Sequence, residues 1–164
     1  MSTKPDVWRS QVYSAEDQFT SLLNRGGQVD FFGSTFDLSP QRRFGDLLSV
    51  QDYVNRVFEL IDGIDPPTVR VRKGTTRAHY EFSAKIIALP VADQWALRES
   101  VILHECAHHI TWMTHGIEIA QHGAQFTRVM LDLVNLVLGE SAELLLRAGY
   151  QEAGVPISIT RVIA

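Results

Sequence analysis

The chain has 164 residues, 45% of them hydrophobic and 21% charged, with a formal net charge of −4. That is one domain's length, enough to bury a core without disulfide staples, and the composition excludes a disordered segment or a coiled coil. The acidic balance argues against nucleic-acid binding driven by bulk charge, and Arg70, Arg72, Lys73 and Arg77, the one basic cluster, read as a solvated hairpin or loop.

Trp8 to Tyr13 reads as a short strand. Ser14 then opens a helical stretch, with Asp17 at capping-box spacing, that stops near Gly26-Gly27. Val29 to Phe36, aromatic and weakly alternating, suits a strand. Ser49 to Ile61 predicts a helix, with Ser49 and Asp52 at cap spacing and an apolar stripe of Val50, Val54, Val57, Phe58 and Ile61. Gly63 and Pro66-Pro67 end it. Val69 to Val71 and His79 to Leu89 read as strands around a turn at Gly74, closed by Pro90.

A long helix follows from about Asp93 to Thr114, with Gly116 as its stop. Two more helical stretches, Gly123 to Leu138 and Ser141 to Tyr150, are separated by Gly139. Mixed strands and helices first, then a helical half, with no βαβ rhythm, predict a single α+β domain over residues 1–164.

The long helix contains His104-Glu105-Cys106-Ala107-His108, the pattern H-E-x-x-H. Residues i and i+4 stand one above the other on a helix face, so two imidazoles can share one tetrahedral ion. A glutamate one residue after the first histidine points about 100° around the helix, where it can take a proton from water without itself being a ligand. Chance produces this pattern in about one such sequence in a hundred, so its weight comes from the predicted helix around it. Leu103, Cys106, Ile110 and Met113 lie opposite the histidines, and Leu97 and Val101 lead up to them, so the helix reads as central and buried.

A catalytic zinc commonly takes three protein ligands and keeps one position for water. His115 shares the histidine face but lies about 10 Å beyond His108 along the axis, too far unless the helix breaks. Glu118 sits in the connection. His122 precedes the next helix, which can fold back beside the first, and it is the favoured third ligand, with His115 and Glu118 left open. Cys106 faces away from the histidines and reads as core. His109 reads as structural or solvent-facing, His79 as a possible lining residue of the cleft, and Trp95 and Trp112 as packing residues. Tyr80 or an arginine is a candidate to stabilise an oxyanion.

H-E-x-x-H on a helix, then a loop, then His122-Gly123-Ala124-Gln125-Phe126 opening another helix, resembles the zincin-type SprT-like metalloproteases. It resembles still more the small metallohydrolases of actinobacterial type. The resemblance runs over roughly Trp95 to Met130. It implies a zincin-like fold, zinc held by His104, His108 and His122, and Glu105 as general base, and it places Tyr80 to Leu89 as the edge strand that pairs with an extended substrate. The metzincin extension is absent, because Thr111 and Thr114 stand where its glycine and third histidine would be.

The expected activity is therefore zinc-dependent hydrolysis of a peptide or protein substrate. The rivals are a zinc-stabilised binding module without turnover and hydrolysis of a non-peptide bond. Cys106 is the only cysteine, so no intrachain disulfide forms. Lys4, Pro5, Asp6 and Arg9 leave no apolar signal core in the first nine residues, and no run approaches the roughly 18 apolar residues of a membrane span. The expected location is the cytoplasm, with neither membrane nor nucleic acid as partner.

Overall fold

A computed structural model describes residues 4–31, 33–74, 77–92 and 94–163. Among them are five α-helices, a two-stranded hairpin and a three-stranded mixed sheet, an α+β arrangement. Contacts group the chain into two compact units, Met1–Gln41 with Ile117–Ala164, and Arg42–Gly116.

In the first unit, helix α1 spans Arg9–Arg25. The expected strand at Trp8 to Tyr13 is therefore incorrect, as is a helix start at Ser14. Val12, Ala15, Phe19 and Leu23 are all buried at spacings of three and four, a helical period that extends back through the supposed strand. Gly26 ends α1 with φ 62° and donates to the Leu22 carbonyl. A Cβ there would stand 2.7 Å from Pro40 Cγ, so both backbone and space require glycine.

Strands β1 (Gly27–Phe31) and β2 (Ser34–Leu38) form an antiparallel hairpin in the register Val29↔Phe36. The expected single strand at Val29 to Phe36 is thus two, folded back at Gly33 with φ 77°; Phe32 lies outside the described residues. Helices α4 (Ala124–Leu138) and α5 (Glu140–Glu152) turn at Gly139, φ 95°, and pack on each other, with α1 on α5. Phe126, Met130, Leu133, Leu146 and Tyr150 are buried in this unit. The C-terminal segment is tied to α4: Arg128 Nε donates to the Ser158 carbonyl at 2.7 Å, and Val162 N donates to Asp132 Oδ2 at 3.1 Å.

In the second unit, α2 spans Leu47–Glu59. Its N-cap is Asp46, whose Oδ1 accepts from Ser49 N at 2.8 Å, so Ser49 is the capped residue and not the cap. Strands β3 (Thr68–Val71), β4 (His79–Glu81) and β5 (Ile86–Leu89) are ordered β3-β5-β4, with β3 parallel and β4 antiparallel to β5. The expected continuous strand from His79 to Leu89 is broken by a turn, where Lys85 takes φ 55°.

The long helix of the sequence divides in the same way. A 3₁₀ turn, Gln94–Leu97, precedes α3, Glu99–His115, with extended Arg98 between them. Asp93, its expected start, lies outside the described residues. Gly116, φ 72°, stops α3 as expected.

Candidate metal centre

Every residue of α3 from Glu99 to Thr111 is buried. Few helices of a domain this size are enclosed on all sides, and one that is must anchor its polar groups. Glu99 does so at the N-terminal end. Its Oε2 accepts from Tyr53 Oη at 2.6 Å and its Oε1 from Arg42 N at 3.1 Å, which ties α2 and the backbone at Arg42 to the first turn of α3. A carboxylate is also favoured there by the helix dipole. Burial, then the charge of Glu99, drives the Tyr53 hydroxyl well above the usual tyrosine range, so it remains a donor. On the other side, α3 packs against β4 and the 3₁₀ turn.

His104 and His108 occupy successive turns of this helix. Their ring centroids are 4.8 Å apart at 78° to each other, and both side chains are buried, at 5% and 6% exposure. Phe82, in the β4–β5 turn, sets its ring 5.9 Å from that of His108 and 5.6 Å from that of Trp112. Glu105 is buried beside His104, at 3%. Two imidazoles one helical turn apart, in a dry setting, with a carboxylate next along the backbone, are chemically suited to hold a borderline divalent ion and to move a proton beside it.

The neighbouring residues have other roles. Cys106 is a buried free thiol, pushed well above its ordinary range by burial and then by the charge of Glu105, so it stays protonated in the core. His109 is buried and structural, not solvent-facing. Its Nε2 lies 2.8 Å from the Asp65 carbonyl, which can only accept, and its Nδ1 lies 2.7 Å from Tyr80 Oη. Nε2 therefore carries the proton and Nδ1 accepts from Tyr80. Tyr80 was expected as a candidate oxyanion donor, but this bond uses its one hydrogen. His79 is partly exposed on β4 and pairs with Glu81 at 3.2 Å. Arg70 also reaches Glu81, and Arg77 stacks 5.5 Å from the Trp95 ring, so the basic cluster is a surface feature of the strands and their turn.

His122, in the other unit, sits in a turn and not in a helix. Gly123 N donates to the Ala120 carbonyl at 3.2 Å, and α4 begins one residue later. His122 is buried, at 3% exposure, and its ring lies 5.2 Å from that of Tyr13 and 5.1 Å from that of Phe126. Its Nδ1 is 2.8 Å from Asp6 Oδ2, and its backbone N donates to Asp6 Oδ1 at 3.1 Å. Burial alone would raise the Asp6 carboxyl, but the bonds and charge of His122, with Arg9, outweigh it and hold Asp6 below the usual range. An ionised carboxylate accepts only, so Nδ1 carries the proton and Nε2 is the unprotonated, accepting nitrogen of the ring. The other two candidates differ: His115 and Glu118 are both exposed.

The model of the SprT-like family matches residues 52–150, a span that includes His104, Glu105, His108 and His122. This chain belongs to the SprT-like family. No curated protein and no solved structure matches it. The SprT-like span begins inside α2 and ends inside α5, so α1, the hairpin and Asp6 fall outside it. None of the described helices is long and apolar enough to cross a membrane.

The sequence had pointed to His104, Glu105, His108 and His122. It missed Asp6, whose partner is 116 residues away. No local pattern marks such a pair.

Proposed function

We propose that this SprT-like chain is a zinc-dependent hydrolase of peptide bonds, with His104, His108 and His122 holding the ion and Glu105 as general base. The observation that carries this reading is the buried pair His104 and His108 on successive turns of α3, with Glu105 between them. Three further points support it. His104, His108 and His122 are all buried, and each offers one ring nitrogen of the kind that binds a metal ion. Asp6 fixes on His122 the tautomer that a metal-binding imidazole needs. The family to which the chain belongs is generally one of metallopeptidases.

The donor set fits zinc, for which imidazole nitrogens are ordinary ligands and three protein ligands leave a position for water. Bound there, zinc supplies Lewis acidity towards water and carbonyl oxygen. Glu105 accepts the proton released as water adds to the scissile carbonyl. It then donates that proton to the departing amine nitrogen, so one residue serves both halves of the reaction. Burial of α3 from Glu99 to Thr111 limits bulk water around this transfer. The substrate is a peptide or protein segment, and neither nucleic acid nor membrane is required.

The test is Glu105→Gln, which preserves size and hydrogen bonding but removes the base. Zinc content by elemental analysis should remain near one per chain, while peptide hydrolysis falls by about 10²–10⁴-fold. Full turnover in that variant would end the assignment of Glu105.

A further inference from the structure

His122 is held differently from a histidine on a helix. It stands in the turn before α4, so its backbone N–H lies outside the helical ladder. One side chain takes over that role: Asp6 accepts the backbone N–H with Oδ1 and the ring Nδ1–H with Oδ2. A carboxylate gripping both ends of one residue fixes the backbone position and the ring rotation together. Tyr13 of α1 and Phe126 of α4 flank the ring and restrict its tilt. Asp6 and Tyr13 both lie outside residues 52–150, the part that matches the family.

We propose that Asp6 is the positioning residue of the metal centre: it locks His122 as the Nε2-ligating tautomer, so the segment before α1 completes a site otherwise built within the family-matched region. This inference rests on the reading of His122 as a ligand. Removing the carboxylate that backs a metal-binding imidazole commonly weakens metal binding by about 10–100-fold, because the ring loses both orientation and basicity. Asn at position 6 retains the shape but loses the charge that raises the basicity of Nε2. It also presents an N–H₂ to one of two groups that are themselves donors.

The experiment is a zinc titration against a competing chelator on the full chain, comparing wild type, Asp6→Asn, His122→Ala and the double variant. Asp6→Asn should raise the zinc dissociation constant by about 10–100-fold. The double variant should bind no more weakly than His122→Ala alone, because Asp6 acts only through that ring. Unchanged affinity in Asp6→Asn overturns the inference, and so does an additive loss in the double variant. A residue that merely pins the N-terminal segment would lower thermal stability without moving zinc affinity.

Nitrogen NMR of the zinc-loaded wild type keeps the test open if a variant fails to fold. Nδ1 of His122 should carry hydrogen and Nε2 the metal, and the reverse assignment overturns the proposal. The parent reading fails separately: it falls if wild type binds no zinc, or if His122→Ala binds zinc as wild type does.

Discussion

His104 and His108 are placed by one helix. Their relation comes from the α-helical repeat, and α3 is fixed by burial along thirteen consecutive residues from Glu99 to Thr111 and by the Tyr53–Glu99 bond at its start. Nothing outside α3 has to arrive for the two rings to face alike. His122 has no such support from its own element. It depends on a turn, two flanking rings and a carboxylate 116 residues away. Two ways of fixing a histidine thus stand side by side, one by covalent repeat and one by assembly. The first tolerates losses elsewhere in the chain; the second concentrates its dependence on a few contacts.

The largest expected effect follows from breaking the helical pair. His108→Ala should abolish stoichiometric zinc, since a single remaining imidazole on α3 cannot define a tetrahedral site. Elemental analysis after dialysis checks it, and retention of one zinc per chain would remove α3 as the centre's foundation. Because the mutated position is buried at 6% exposure, circular dichroism of the same sample must show the helices intact.

A smaller effect tests whether α3 is anchored by residues other than His104 and His108. Burial first, with Lys85 in the same direction, outweighs the Asp65 contacts and holds His109 below the ordinary histidine range. The folded protein thus favours neutral His109, and the unfolded chain binds its proton more readily. Stability from this residue is complete above about pH 6.5 and is lost as pH falls from there through the folded value. Urea unfolding at pH 7.5 and 5.5 should show wild type losing stability at the lower pH, and His109→Gln losing less. His79, also lowered by burial and by Arg72 and Arg70, shifts in the same sense but is common to both proteins, so the difference between them isolates His109. Equal losses would mean that the Tyr80–His109–Asp65 chain does not hold α3 in a neutral state.

How far the molecule could be read from its sequence follows the same division. The H-E-x-x-H pair, the stop at Gly116, the apolar stripe of α2 and the break at Gly139 were legible because each depends on residues within a few positions. The strand expected at Trp8 to Tyr13 was wrong because a short stretch ending in Val and Tyr satisfies both periods. Only the longer run through Phe19 and Leu23 decides for a helix. The break at Arg98 was missed because Gln94 to Leu97 shares the helical pattern of α3, and its interruption comes from pairing of Arg98 with Arg43. The pairing of Asp6 with His122 is the furthest case, since it exists only once α1 and α4 are in place.

The smallest expected effect concerns His115, the residue that shares the face of His104 and His108 without sharing their surroundings. It closes α3, is exposed, and is followed at once by Gly116, which donates back to the Trp112 carbonyl at 2.9 Å. That bond keeps the last turn wound, so His115 stays about 10 Å beyond His108 along the axis and cannot meet the same ion. His115→Ala should therefore bind zinc with unchanged stoichiometry and affinity, and exposed Glu118→Ala should do the same. A loss of zinc in His115→Ala would mean that the last turn of α3 unwinds when the metal binds. The ligand set would then be one in which the helix, and not the turn before α4, supplies all three histidines.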